Sequence, residues 1–262
     1  MQTRTWVMPL LVGVLSVTAC GDDTQSSTNA TPPAATPTSP AVTSTTSGSA
    51  AGSQTPGAVG STAGKLLFQD PFDDDRNGWG VHDNPEFGSA AYDSGDYVWA
   101  FRGSVSHWLP AVLGDQYDRG ELEMHNVVVK ADATVAAGGG VVGVFCRETP
   151  DTDADYQWYE FVARDGFAAI RRADGEANLD VLADTKDVTL PLGMPIAFEA
   201  TCVDDTDGHA QLSFSLNGTP VLHATDNDPL GNGVCGLQAW TFPVHEEIDI
   251  RWHEFSIHEA QN

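Results

Sequence analysis

The chain has 262 residues, of which 41% are hydrophobic, and it carries 37 acidic against 12 basic side chains, a formal net charge of −25 at pH 7. This balance argues against nucleic acid and anionic lipid headgroups as partners, because binding to phosphates needs clustered Lys and Arg side chains. The composition changes sharply near residue 65, which divides the chain into two parts.

Residues 1–19 are predicted to be a secretion signal. Arg4 and the amino terminus give a positive start, an apolar run begins at Trp6, and Ala19 is a small residue before the cleavage point. The run is too short to cross a bilayer. The segment Leu-Ser-Val-Thr-Ala-Cys that ends at Cys20 resembles the lipobox of bacterial lipoproteins. The resemblance implies that Cys20 carries lipid, becomes the mature amino terminus and anchors the protein to the extracytoplasmic side of the bacterial membrane; an ordinary secreted protein is the alternative.

Residues 20–64 are predicted to be a disordered tether behind the lipidated cysteine. They consist almost entirely of Ser, Thr, Pro, Ala and Gly. Such a stretch has no apolar face to bury and cannot offset the entropy lost on ordering. Treated as a random coil, its ends lie on the order of 35–40 Å apart. The tether would lift a folded domain off the membrane.

Residues 65–262 form the predicted domain, and they carry nearly all of the charge. Two acidic residues and one basic residue precede Lys65, which leaves 35 acidic and 11 basic side chains in the domain, a difference of −24. The acidity favours solubility in an extracellular setting. Binding of divalent cations is the second interpretation.

Alternation of apolar and polar residues predicts strands throughout this domain. It is clearest at residues 96–101 and 211–216, and the latter run into Asn217-Gly218, a tight hairpin signal. Asp165-Gly166 and Asp174-Gly175 give two more hairpin signals. Further strands are predicted at residues 120–130, 140–147, 196–203, 234–242 and 248–257. About a dozen short strands indicate an all-β, two-sheet antiparallel sandwich or jelly roll.

Three stretches in a fixed order resemble a known superfamily. They are FQDPF at 68–72 with Gly78-Trp79, GVFCR at 143–147, and ATCV at 200–203 followed by LNG at 216–218. The domain is similar to bacterial members of the concanavalin A-like jelly-roll superfamily, which are related to laminin-G-like and 3-keto-disaccharide hydrolase-like domains. The resemblance implies the fold and says little about function, because this fold hosts lectins, hydrolases and adhesive modules.

The domain contains three cysteines, Cys146, Cys202 and Cys235. A secreted protein meets an oxidising compartment, so one disulfide is expected, and three cysteines allow three single pairings. The superfamily resemblance implies the Cys146–Cys202 pair, which leaves Cys235 free and buried.

An acidic loop near the start of the domain could hold calcium. Asp73, Asp75 and Asn77 match the opening of a calcium-binding loop, but the twelfth position is Asn84, where a bidentate Glu would be needed. An ordinary acidic turn is the alternative. The acidic loops at 151–155 and 204–208 are each interpreted as solvated turns.

Two sets of residues are candidates for binding a glycan. Trp108, Trp158 and Trp240 are the tryptophans best placed for the surface, although a sandwich core uses the same side chains. Glu121, Glu123 and His125 would share one face of a strand, which is also the pattern of the solvated side of an antiparallel sheet.

Glu247 and Asp249 superficially resemble the Glu-x-Asp-x-x-Glu strand of laminarinase-like glycoside hydrolases. Retaining enzymes need two carboxylates about 5.5 Å apart. Glu254 lies five residues past Asp249 and is expected on the opposite face of the strand unless a bulge intervenes. No Ser-His-Asp arrangement or nucleophile elbow is recognisable.

The sequence therefore predicts a surface lipoprotein that presents a non-catalytic binding domain, with carbohydrate or another cell-envelope ligand as its target. A glycoside hydrolase on the same fold and a protein-binding adhesion or scaffold domain are the two alternatives.

Overall fold

The computed structural model describes residues 62–86, 88–102, 106–110, 124–149, 157–174, 178–241 and 247–261, without the side chains of 106–110, 174 and 178. Cys20, the tether up to residue 61, Glu121 and Glu123 lie outside the described residues, so their predicted roles stay predictions. Residues 62–64, predicted as the end of the tether, belong instead to the first strand. Regular structure in the described ranges is entirely β. These ranges contain no helix that is long and apolar enough to cross a membrane.

The described ranges contain fifteen strands. They are β1 Thr62–Asp70, β2 His82–Asn84, β3 Gly88–Asp93, β4 Asp96–Arg102, β5 Ser106–Pro110, β6 Val127–Gly138, β7 Val141–Glu148, β8 Gln157–Arg164, β9 Phe167–Asp174, β10 Asn178–Thr185, β11 Pro195–Asp204, β12 Ala210–Leu216, β13 Thr219–Asp226, β14 Val234–Trp240 and β15 Glu247–Gln261.

These strands form two antiparallel sheets. The nine-stranded sheet has the order β13-β12-β11-β6-β15-β4-β3-β2, and β1 pairs with the second half of β15. The six-stranded sheet has the order β10-β9-β8-β7-β14-β5. The prediction of an all-β, two-sheet antiparallel sandwich is confirmed.

Alternating residues of both sheets fill the core between them. In β4 the inward positions Tyr97, Trp99 and Phe101 are all buried, and in β15 Ile248 and Ile250 face the same core. The rings of Trp99 and Trp252 pack edge-on in this core, at 5.3 Å between centroids. Aromatic pairs of this geometry stabilise beyond the area that they bury.

The FQDPF motif and Gly78-Trp79 form one structural unit. The buried Asp70 carboxylate accepts hydrogen bonds from the Phe72 backbone N–H at 2.7 Å and from the Trp79 indole at 2.6 Å. Phe72 has a positive φ of 57°, and its ring packs against that of Trp79. The motif therefore fixes the turn after β1, which explains its link to the fold.

A disulfide joins Cys146 of β7 to Cys202 of β11, with 6.8 Å between the Cα atoms. It thereby connects the six-stranded sheet to the nine-stranded sheet. Cys235 is free and buried in the core, and burial raises the pKa of its thiol to about 12. Both parts of the cysteine prediction are confirmed.

The hairpin turns follow the sequence signals where the chain is described. Asn217 and Gly218 both have positive φ, as a two-residue turn between β12 and β13 requires. Ser94 and Gly95 form a turn of the same kind that the sequence reading missed. β6 differs most from expectation, because it begins at Val127 and continues to Gly138. Its second half is rich in alanine, which has low strand propensity and masked the pattern.

Candidate functional site

The six-stranded sheet is buried on both of its faces around β7 and β8. Tyr159 and Phe161 of β8 belong to the core between the sheets, whereas Val162 forms a second small cluster with Val141 and Ala169. Because successive side chains of a strand point to opposite faces, this second cluster lies on the side away from the other sheet. We call this side of the six-stranded sheet the outer face.

The outer face holds a buried ion pair. Glu160 of β8 stands directly opposite Arg171 of β9, and the Arg171 Nε contacts the Glu160 Oε1. Glu160 is only 1% exposed and Arg171 only 7%. Gln238 of β14, also buried, donates from Nε2 to the other Glu160 oxygen at 2.5 Å. The carboxylate is therefore held by groups from two other strands.

Gly143 of β7 allows Gln238 and Glu160 to meet. In register it lies between Gln238 on β14 and Val162 on β8. A Cβ atom at Gly143 would stand 1.9 Å from the backbone oxygen of Phe161, which no real side chain tolerates. The absence of a side chain at this position lets the strands approach closely.

Two half-buried tryptophans adjoin the ion pair. The indole of Trp158 hydrogen-bonds to the Glu160 carboxylate, and the Arg171 guanidinium lies over the Trp240 ring at 4.3 Å from its centroid. Stacking on a cation is a recognised stabilising contact for an indole. Trp108 pairs in register with Gln238, but its side chain lies outside the described residues. The three tryptophans singled out from the sequence thus lie on strands of one sheet.

Burial controls the protonation of the pair. Loss of hydration raises the pKa of the Glu160 carboxyl, because the charged form is the one that loses most on leaving water. Arg171 and the hydrogen bonds from Gln238 and Trp158 act in the opposite direction, with the smaller effect. Burial likewise lowers the pKa of Arg171, against the Coulombic influence of Glu160.

A second buried carboxylate, that of Glu148, lies near the end of β7. Arg147 has a positive φ of 55°. Cys146 pairs with Tyr159, and the Thr149 N–H donates to the Gln157 carbonyl. Between these two points β7 contains one residue more than β8. This is the geometry of a β-bulge. Glu148 follows the bulge, pairs with Val234 in register and is 3% exposed.

His125 lies in a bend before β6 and not in a strand, because the chain there is pinned by the buried Arg147. The Arg147 Nε donates to the His125 carbonyl, and its Nη2 donates to Asp204 at 2.8 Å. The other Asp204 oxygen lies 2.5 Å from the His125 Nε2. The strand placement predicted for His125 is wrong. The residue belongs to an ion network with Arg147 and Asp204.

The candidate calcium loop carries its own cation. Arg76 forms hydrogen bonds with Asp74 and lies 3.6 Å from Asp73, and Asn77 is buried. The Gly78 N–H closes a turn on the Asp75 carbonyl. Arg76 thus already neutralises part of the charge that a calcium ion would meet at Asp73, and calcium binding by Asp73, Asp75 and Asn77 stays a prediction.

A different acidic loop brings possible ligand atoms together. Between β11 and β12, one atom each of Asp205, Asp207 and His209 lie within 4.8 Å of one another. Asp205 also accepts backbone hydrogen bonds from Asp207 and His209, and these bonds, that from His209 above all, lower its pKa. This set could accept a metal ion.

The carboxylates of β15 lie on the nine-stranded sheet. The register of β15 against β6 shifts between Asp249 and Ile250 and again between Trp252 and Glu254. Phe255 is buried in the core beside Trp252, so Glu254 shares the outward side with Asp249. Glu254 was expected on the opposite face unless a bulge intervenes, and a bulge between Trp252 and Glu254 does intervene.

Arg251 separates these two carboxylates on the outward side of β15. Its guanidinium pairs at 3.0 Å with Asp93 and with Asp96. Asp249 and Glu254 are therefore not neighbours along the strand. The hydrolase motif needs carboxylates that are neighbours.

Sequence reading missed Glu160 and Arg171 although a signal was present. Glu160 lies between the apolar residues Tyr159 and Phe161, and Arg171 follows Ile170; a charged residue beside apolar ones in a strand is the pattern of a solvated face. The two-residue turn Asp165-Gly166 nevertheless fixes the register of the hairpin and so places Glu160 opposite Arg171. Burial of the outer face is the property that the pattern does not show.

Comparison with known proteins supports the fold alone. No protein-family model matches the chain, and no curated protein sequence matches it. Among solved structures, a Bacillus subtilis protein of unknown function with a galectin-like fold superposes with a TM-score of 0.56 and 15% identity, over 76% of this chain and 98% of that one.

Two glycoside hydrolases have similar folds. An endo-β-galactosidase of Clostridium perfringens that releases GlcNAcα1-4Gal gives a TM-score of 0.53 at 11% identity, over 74% of this chain and 62% of that one. SCLam, a non-specific endo-β-1,3(4)-glucanase of family GH16, gives 0.50 at 10% identity, over 77% and 95%. The similarities confirm the concanavalin A-like jelly roll.

Proposed function

We propose that the domain is a non-catalytic carbohydrate-binding module whose ligand lies on the outer face of the six-stranded sheet, against Trp158 and Trp240. The observation that carries this proposal is the chain of contacts from Trp158 through Glu160 and Arg171 to Trp240. It fixes two half-buried indoles in orientation. Rigid, partly exposed aromatic rings suit the apolar faces of sugar rings.

The solved structures of similar fold add support from their own activities. The endo-β-galactosidase and the β-glucanase both act on glycans. Their fold therefore accommodates sugar chains, while their low sequence identity leaves the chemistry of this site to be argued from its own residues.

Burial of the carboxylates favours binding over hydrolysis. A glycosidase needs an acid and a second carboxylate in contact with the scissile bond. Glu148 and Glu160 are 3% and 1% exposed, and Glu160 is held by Arg171 and Gln238. A carboxylate so held supports the site and is not free to protonate a leaving group.

A glycan array with the purified protein tests the proposal. Binding to at least one glycan is expected, with affinity reduced by about 1–3 kcal/mol in Trp158→Ala and Trp240→Ala, the order of a lost aromatic contact. Lys130→Ala, on the other sheet, is the matched control and should bind as the wild type does. Release of reducing ends from a bound glycan would instead establish the hydrolase, and a protein that binds no glycan would contradict the proposal.

The same proposal places the domain outside the cell, tethered by a lipidated Cys20. Cys20→Ala should move the protein from the membrane fraction to the soluble or unprocessed fraction and leave the thermal unfolding of the domain unchanged. Mass spectrometry of the wild-type mature protein is expected to find acyl chains on Cys20. A mature protein without lipid would refute the anchor and leave the binding site untouched.

A further inference from the structure

Arg171 and Gln238 both keep unused hydrogen-bonding atoms on the outer face. Arg171 Nη2 and Gln238 Oε1 are buried and, within the described part of the chain, have no hydrogen-bond partner. A buried donor and a buried acceptor left unsatisfied each carry a free-energy cost, so such atoms point to a partner that the protein itself does not supply. A sugar hydroxyl can accept from one and donate to the other.

The charge of the site is balanced internally. Arg171 is the cation that contacts Trp240, and its charge is opposed by Glu160 at contact distance. The groups that face this pair from β14 and β8, Gln238 and Trp158, are neutral. The domain as a whole carries a difference of −24 between basic and acidic residues. An anionic ligand would therefore meet repulsion at long range, and at the ion pair it would meet a cation that Glu160 already opposes. Arg164, exposed on the same side of β8 over the Phe167 ring, lies outside this pair.

We infer that the site selects neutral glycans over carboxylated ones and that Glu160 is the residue that sets this selectivity, by cancelling the charge of Arg171. The inference rests on the proposed function and deepens it. Glu160 acts through Arg171 and Trp158 and is a positioning residue. Removing the charge of Glu160 without changing the shape of its side chain would leave the buried Arg171 guanidinium uncompensated beside the ligand. That guanidinium would attract the carboxylate of a uronate.

The test compares each neutral polysaccharide with a lightly C6-oxidised form of itself, in which some hydroxymethyl groups have become carboxylates. Barley β-glucan, galactan and mannan serve as the probes. The measured quantity is the ratio of the affinity for the oxidised form to that for the neutral form. We expect this ratio to be below one for the wild type. In Glu160→Gln we expect the ratio to increase on the order of tenfold, which is the effect of one unit charge within about 8 Å in a partly screened site.

Two further variants separate charge from shape. Arg171→Gln leaves Glu160 unopposed and should lower the ratio, and the double variant Glu160→Gln/Arg171→Gln should return it to near the wild-type value. The gain in Glu160→Gln should shrink at high salt, since charge attraction is screened. A merely structural role would change both affinities together and leave the ratio and its salt dependence unchanged.

The outcomes are distinguishable. If the wild type binds no glycan on the array, the proposed function fails. If it binds only carboxylated glycans, the inference is wrong and the proposed function stands. If it binds neutral glycans and the ratio is the same in Glu160→Gln, or is already above one in the wild type, the inference is wrong and the proposed function stands. Where Glu160→Gln does not fold, Arg171→Gln carries the test, and an unchanged ratio in that variant overturns the inference equally.

Discussion

The outward sides of the two sheets carry ion pairs in opposite surroundings. On the nine-stranded sheet, Lys130 and Glu199 pair at 2.8 Å with more than a third of each side chain exposed. On the six-stranded sheet, Glu160 and Arg171 pair with 1% and 8% of their side chains exposed. Exposed pairs are screened and contribute little. Buried pairs are costly to dehydrate, and their value lies in orienting what they touch.

The largest expected effect comes from breaking the buried pair. Arg171→Gln leaves the Glu160 carboxylate buried with neutral partners only, so the free energy of unfolding at pH 7 should fall by about 3–5 kcal/mol. Lys130→Gln on the other sheet is the matched control and should cost at most about 1 kcal/mol. Urea unfolding measures both, and equal losses would show that the two faces do not differ.

Removing the disulfide should cost nearly as much, because it joins the two sheets. The bridge spans 56 residues, for which the chain-entropy treatment gives about 4 kcal/mol. Cys146→Ala/Cys202→Ala should lower the unfolding midpoint accordingly, whereas Cys235→Ala removes only a small buried group. Peptide mapping without reductant is the direct check on the pairing, and a bridge that contains Cys235 would contradict it.

Gly143→Ala tests how closely β7 and β8 approach on the outer face. Its Cβ would overlap the Phe161 backbone oxygen, so the strands must separate, at a cost of about 1–3 kcal/mol. Gly231→Ala is the control, since a Cβ there has open space within 4 Å. A stable Gly143→Ala protein with unaltered glycan affinity would show that the close approach is not needed.

The pH dependence of Glu160 should be the smallest effect, and its sign is defined. Burial raises the pKa of Glu160 in the folded state above its unfolded value. Folding therefore favours the protonated form of Glu160. The contribution of this protonation to the free energy of unfolding is lost as the pH rises through the pKa of the folded state. The stability of the wild type relative to Glu160→Gln should increase as the pH falls from 7 towards about 4.3, the pKa of a Glu side chain in the unfolded protein. An opposite slope would mean that Arg171 outweighs the burial.

Sequence reasoning reached the fold more easily than the site. Alternation and the Asn217-Gly218 turn predicted strands, because they depend on residues close in the chain. The bulges at Arg147 and near His253 were out of reach, since one extra residue in a strand leaves no local signature, and they decide where Glu148 and Glu254 point. The tryptophans could be named, but the ion pair between them depends on burial of a whole sheet face.

The most direct test of the central claim is to map which tryptophans a bound glycan protects from oxidation. The full-length protein is treated with N-bromosuccinimide with and without a glycan found on the array, and the oxidised peptides are quantified by mass spectrometry. Trp158 and Trp240 are half-buried and should be oxidised slowly in the free protein and protected when the glycan is bound. Trp99 and Trp252 are fully buried and should react in neither state. Binding of the glycan with no change at Trp158 and Trp240 would contradict a binding site on the outer face.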